Sequence, residues 1–309
     1  MKAVVAQQKG GPEVVELVEI AKPAAGAGEV LVRVAAAGVG PWDALIREDQ
    51  SVTPITYPVM LGSDVAGTVE EVGTGVTAFR KGDAVYGATN PDFIGGYAEY
   101  AVCKAGMIAK RPAGLNWHEA ASAPVVSVTA LQGLLEYGKL ARGQTVLILG
   151  AAGNVGAYAI QLAKDGGARV IAVASEKDKD FVERLGADVF VDHRAGKFEN
   201  VAQGVDCVLD MVGGDARERG AHVMKPGGML VTVESPVPDA MKRRYGARAM
   251  FFLVEVTTAR LEKISGLFEA GKLKPDVGTL VPLAEARKAH EMLSGAPHSR
   301  GKIVLEVGE

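Results

Sequence analysis

From residue 145 onward, short apolar runs alternate with helix-length segments. The runs are 145–149 (TVLIL), 169–174 (RVIAVA), 188–191 (DVFV), 206–210 (DCVLD), 229–234 (MLVTVE) and 251–256 (FFLVEV), with helical patterns at 154–165, 176–186 and 216–224. Strands that are apolar on both faces and separated by helices predict βαβ units and a parallel, doubly wound α/β sheet. Residues 1 to about 120 follow a different rhythm: MKAVVAQ, EVVELVEI, EVLVRVAAAG, VAGTVEEVG, DAVYGA and AEYAVC are short strands punctuated by Gly and Pro. That pattern predicts a mostly antiparallel, barrel-like domain. Two amphipathic helices, at 259–273 and 283–295, and a last strand, KIVLEV, close the chain, which is expected to leave the first domain, build the second and return.

Residues 144–163 carry no charge for 20 positions, the length of a membrane span. Gly150, Gly153, Asn154 and Gly156 interrupt the stretch, and a buried strand, turn and helix explain it better than a lipid-facing helix. The first residues lack an apolar signal core, so a cytoplasmic protein is expected. Net charge is −3, with 34 basic and 37 acidic residues, which gives no support to a nucleic-acid partner. Cys103 and Cys207 are too few for a disulfide framework or a four-thiolate zinc site and read as buried structural thiols. Glycine is abundant, 39 of 309 residues, against roughly 7% in ordinary proteins.

Gly150-Ala151-Ala152-Gly153-Asn154-Val155-Gly156 follows a strand and opens a helix. There the glycines permit a tight turn, close approach of backbone to a pyrophosphate and close helix-sheet packing. A P-loop is excluded because Ala157 and Tyr158 follow Gly156, and Tyr100-x-x-x-Lys104 is a chance match to a dehydrogenase pair, since it precedes the loop. Enzymes that use NAD place an acid at the end of the second strand, on the ribose 2′-hydroxyl. This chain has Ala174 there, followed by Ser175, Glu176 and Lys177, so NADP(H) is expected, with Ser175 and Lys177 on the phosphate. The competing readings are Ser175 as a helix cap paired with Asp178, Lys177 as a solvated residue, and Glu176 as the ribose acid.

The motifs AAGVGPWDALIRE, LGSDVAGTVEEVGTGVTAFRKGDAVYG, GGYAEYAV, VTALQGLLEYGKLARGQTVLILGAAGNVGAYAIQLAK and HSRGKIVLEV, in this order, resemble the medium-chain dehydrogenase/reductases. The resemblance is specifically to the zinc-independent quinone oxidoreductase, or zeta-crystallin-like, branch. It implies a GroES-like domain from 1–122 and 263–309, a Rossmann domain from 123–262, and a cofactor in the cleft between them. It also implies cofactor contacts from Thr129, from the backbone of Ala152, Asn154 and Val155, from His193 and Arg194, from Phe251, Phe252 and Leu253, and from His298, Ser299 and Arg300, with Lys302 adding charge.

Zinc-dependent relatives place a Cys where this chain has Gly40 and a His where it has Ser63, so no metal is expected. Without a Lewis acid, hydride delivery to an activated quinone or α,β-unsaturated carbonyl is the accessible chemistry. Family members often keep Asn at the Gly40 position, so substrate orientation falls to Trp42, Asp43 and Tyr57, with Phe93 and Tyr97 nearby, and Tyr57 is the candidate proton donor. Asp43 reads equally as a structural acceptor, and the aromatics as pocket wall. An enoyl-thioester or alkenal reductase, and an NADPH-binding sensor or structural protein with little turnover, are the alternatives. A homodimer is expected through FFLVEV as an edge strand.

Overall fold

The computed structural model describes residues 1–308. In chain order, the first part contains β1 (Lys2–Ala6), β2 (Val15–Glu19), β3 (Glu29–Val39), α1 (Pro41–Arg47), β4 (Val59–Met60), β5 (Asp64–Val72), β6 (Ala84–Ala88), β7 (Tyr100–Lys104), β8 (Ile108–Lys110) and α2 (Trp117–Ala121). The middle contains α3 (Pro124–Leu131), β9 (Thr145–Leu149), α4 (Asn154–Asp165), β10 (Arg169–Ala174), α5 (Lys179–Arg184), β11 (Val189–Asp192), β12 (Val205–Asp210), α6 (Gly214–His222), β13 (Met224–Thr232), α7 (Asp239–Tyr245) and β14 (Ala249–Phe251). The chain closes with α8 (Thr258–Glu269), β15 (Val277–Pro282), α9 (Ala286–Leu293) and β16 (Lys302–Glu306).

Two compact units result. The first comprises Met1–Val125, Val256–Ala270 and the residues from Pro275 on; the second comprises Val126–Glu255 with Gly271–Lys274. The return to the first unit thus comes at Val256, before the 263 read from the sequence, because α8 belongs to the first unit. Its Thr258 hydroxyl donates to the Ile108 carbonyl at 2.7 Å, and the Tyr86 hydroxyl donates to the Leu261 carbonyl at 2.9 Å.

In the first unit, β3 is the organising strand. It pairs antiparallel with β5, β7 and β16, so the last strand of the chain lies beside one of the first, with Ile303 opposite Val39. The sheet order is β15-β16-β3-β5-β6-β8, and a separate antiparallel sheet runs β2-β1-β4. Val30, Val32, Val34, Val65, Val69, Ile303 and Leu305 alternate inward and are buried, each worth roughly 1.5–3 kcal/mol of transfer free energy. Two short helices, α1 and α2, interrupt a region that reads as strands alone. Seven and five residues are too few to display a helical period.

The second unit is built on one parallel sheet, β11-β10-β9-β12-β13-β14. Its first strand, β9, lies at the centre, with β10 and β12 on opposite sides. The strand order therefore reverses at β9, and in such sheets ligands bind beyond the carboxyl ends of the strands at that switch point. The uncharged stretch 144–163 resolves into β9, a turn and α4, and among the described residues no helix is long and apolar enough to cross a membrane. The expected strand 251–256 is shorter than its composition suggests: β14 ends at Phe251. After it, the Phe252 ring packs 4.7 Å from Tyr137, and the Glu255 amide donates to Gln132 Oε1 at 2.9 Å, which carries the backbone out of the sheet.

Candidate cofactor and acceptor site

At the carboxyl end of β9 the chain turns through Gly150, whose φ of +82° lies in the left-handed region that favours glycine. The amides of Gly150 and Ala151 donate to the Val173 carbonyl at 3.2 and 3.0 Å, which ties the turn to β10. Gly156 meets a separate demand. A Cβ there would collide with the carbonyl oxygens of Gly150 and Ala151, the latter at 2.6 Å, so only glycine lets α4 begin hard against the turn. Gly153, the helix N-cap, has extended backbone and is the least constrained of the three. The 12-residue helix α4 then presents the first-turn amides of Asn154 and Val155 toward the turn, where the helix dipole favours an anion.

The neighbouring strand ends gather the residues expected to meet a ribose phosphate. Ala174 pairs with Asp192 across β10 and β11. His193 donates its backbone amide to the Ala174 carbonyl at 3.0 Å and places Nδ1 at 3.1 Å from the same oxygen. Ser175, Lys177, His193 and Arg194 thus share one corner of the sheet, beside the glycine turn. Ser175 occupies the N-cap position without a side-chain cap hydrogen bond, so its hydroxyl is not consumed as a cap. Thr129 is buried in α3, Phe252 is buried against Tyr137, and Leu253 is 55% exposed.

Sequence reasoning missed a further wall of this turn. Buried Asp210, at the end of β12, accepts from the amides of Val212 and Gly213, each at 2.9 Å, and folds 211–213 back so that Val212 lies against Gly150. The available signal was an Asp closing a strand and followed by paired glycines, DMVGGD.

In the first unit, a buried polar cluster surrounds the start of α1. Asp43 is fully buried, and its Oδ2 accepts from the Gly40 amide at 2.8 Å and the Tyr97 hydroxyl at 2.7 Å. Burial raises its carboxyl to about 7. Trp42 Nε1 donates to Ser63 Oγ at 3.0 Å, and the Lys302 ammonium sits 4.3 Å from the indole centroid. Lys302 is 1% exposed and bonds Asp64 Oδ2 at 3.0 Å. Asp64 also accepts from the Val125 amide through Oδ1; burial raises its carboxyl, against the pull of Lys302.

Two expected roles are corrected by these contacts. The single Tyr57 hydroxyl proton is shared between the carbonyls of Ile46 at 2.9 Å and Arg47 at 3.1 Å, which points it at backbone and counts against the expected role as proton donor. Lys302 is sequestered by Asp64 and Trp42, so its charge is not available to a cofactor phosphate. The closing loop is on the surface: Arg300 pairs with Asp276 at 2.9 Å, the Ser299 amide donates to Thr279 Oγ1 at 3.1 Å, and His298 Nδ1 lies 2.7 Å from the Ser299 carbonyl.

Residues 26–113 match the family described as "Alcohol dehydrogenase GroES-like domain", and residues 185–305 match "Zinc-binding dehydrogenase". A quinone oxidoreductase of Lama guanicoe is 31% identical over 99% of this chain and 97% of its own. The chain belongs to the quinone oxidoreductases of the medium-chain dehydrogenase/reductase superfamily. This oxidoreductase is also 32% identical, over 99% of its length and 79% of the relative's, to the chloroplastic NADPH-dependent alkenal/one oxidoreductase of Arabidopsis thaliana. The solved quinone oxidoreductase of Coxiella burnetii superimposes with a TM-score of 0.91, at 32% identity and 99% coverage of both chains.

The wider family description includes zinc, and the residues present do not fit such an ion. Gly40 offers no donor, the Ser63 hydroxyl already accepts from Trp42, and Asp64 Oδ2 is taken up by the Lys302 ammonium at 3.0 Å. Cys103 and Cys207 are buried, one in each unit, with thiols pushed up to about 12 by burial. Among the described residues no three His, Cys, Asp or Glu side chains are grouped to hold a metal.

Proposed function

We propose that this oxidoreductase is a zinc-independent, NADPH-dependent reductase of quinones. The carrying observation is the corner formed by the ends of β10 and β11: buried Ala174 in place of an acid, with Ser175, Lys177, His193 and Arg194 around it and the glycine turn alongside. With its 2′-phosphate at this corner, bound NADPH would supply a hydride from its nicotinamide. The amides of Ala152, Asn154 and Val155 hold the pyrophosphate, and Ser175 with the three basic side chains holds the 2′-phosphate. Thr129 and the backbone of 251–253 orient the nicotinamide end. A quinone takes up one hydride and one proton; since Tyr57 donates to backbone, water supplies the proton.

The likeness to an alkenal/one oxidoreductase favours a second acceptor class, α,β-unsaturated carbonyls, whose reduction needs the same hydride and proton. The proposal includes a cytoplasmic homodimer. The deciding assay measures kcat/KM for NADPH and NADH with 9,10-phenanthrenequinone, 1,4-benzoquinone and a panel of small enones. One charged phosphate contact contributes about 1.5 kcal/mol or more, so NADPH is expected to be preferred at least roughly tenfold. Preference for NADH overturns the cofactor assignment, and NADPH binding without consumption by any acceptor overturns the reductase.

A further inference from the structure

Gly40 and Trp42 are sterically coupled. A Cβ at Gly40 would lie 2.5 Å from Trp42 Cε2 and closer still to two other ring atoms, so the indole fills the room in which any larger residue would place its side chain. The backbone of Gly40 is extended, with φ −129° and ψ 162°, and makes no conformational demand for glycine. Only the ring requires it.

The indole is fixed from several sides. Ser63 accepts from its N–H at 3.0 Å, Lys302 stands 4.3 Å from its centroid, and the Phe93 ring meets it edge-on at 6.4 Å. Lys302 is itself anchored by Asp64. Phe93 is held at φ +59°, a region bulky residues rarely occupy, within a loop where Thr89 Oγ1 and Asn90 Nδ2 both donate to the Ile94 carbonyl. Trp42 and Phe93 nonetheless remain partly exposed. A strained Phe93 backbone that sets its ring against a hydrogen-bonded indole, at a surface over a buried polar cluster, is the mark of a preorganised contact surface.

We propose that Trp42, seated in the space left by Gly40 and braced by Ser63, Lys302 and Phe93, is the specificity-determining surface against which the flat ring of the quinone packs. This rests on the quinone reductase reading and deepens it by favouring extended aromatic acceptors over small enones. A fixed indole gains dispersion and apolar burial with a planar ring and little with a short enone.

Trp42 and Trp117 are the two tryptophans of the chain, so indole fluorescence reports on the contact. With NADP+ bound and no hydride available, 9,10-phenanthrenequinone is expected to quench the wild type and Trp117→Phe, and to lose that quenching in Trp42→Phe, which retains aromatic volume. In turnover, Trp42→Ala raises KM for phenanthrenequinone at least roughly tenfold and raises it more than KM for a small enone. Gly40→Ala, which displaces the indole, reproduces the rise, and the double variant shows no further increase. Quenching that persists in Trp42→Phe, an unchanged KM in Trp42→Ala, or additive effects of the two substitutions overturns the proposal. If no quinone is reduced by the wild type, the reductase reading fails, while quenching of Trp42 still decides whether a flat ring meets it. If quinones are reduced and Trp42→Ala leaves KM unmoved, this inference alone fails.

Discussion

At the scale of single residues, the contrast between Lys302 and its sequence setting shows what geometry adds. HSRGK reads as a basic cofactor contact, yet the lysine within it is buried and bonded to Asp64, 238 positions earlier in the chain. Neither partner is exposed, so removing one leaves an uncompensated buried charge. Lys302→Met is expected to lower unfolding free energy by about 3–5 kcal/mol, and Asp64→Leu combined with Lys302→Met to recover part of it, since the Val125 amide then loses its Asp64 Oδ1 acceptor. Urea denaturation of the two variants and the wild type checks this; a Lys302→Met loss below about 1 kcal/mol contradicts a desolvated pair. The turn and packing demands on Gly150 and Gly156 were legible because their strand-turn-helix context is local. The dependence of Gly40 on an indole ring was not, since side-chain volume in three dimensions leaves no periodic trace.

Among elements, strands apolar on both faces were legible even at four or five residues, and short helices and half-exposed strands were not. The βαβ series from 145 onward announced itself because strands covered on both faces are apolar throughout. The two-residue β4 and the half-exposed β15 carry no such pattern. Helices α1 and α9 are joined by a pair that no sequence period reveals: Arg47 Nη1 donates to His290 Nδ1 at 2.9 Å. Both side chains are buried, with the Tyr97 ring 6.1 Å from the imidazole and Glu48 paired to Arg47. Burial, then the Arg47 charge, lowers His290 from 6.5 to about 3. The folded state therefore binds fewer protons than the unfolded chain between these values. The stability contributed by keeping His290 neutral is full above pH 6.5 and is lost as pH falls toward 3, by up to about 1.4 kcal/mol per pH unit. Asp43, raised from 3.8 to about 7, has the opposite slope over much of this range, so the comparison must be made against a variant. The stability gap between wild type and His290→Gln is expected to narrow as pH falls from 6.5 to 4, and to stay constant above 7. A gap independent of pH refutes the assignment.

For the whole molecule, the fold places the first strand of the nucleotide-type sheet at its centre and leaves β14 at one end of it, with β13 as its partner among the described residues. Shortening of the expected edge strand from 251–256 to Ala249–Phe251 changes how a dimer is built. Three residues give few main-chain hydrogen bonds, so a second copy adding to this edge needs apolar contact as well, and Leu253 is 55% exposed just beyond the strand. Residue Met250, half-buried in the middle of β14, contributes to the same margin. We expect light scattering at micromolar concentration to give twice the 32.2 kDa chain mass. Met250→Asp, which puts a charge into the middle of that margin, is expected to shift the population toward the single-chain mass. A wild-type mass of one chain refutes the dimer, and a Met250→Asp protein that stays at twice the mass shows that copies associate through a different face.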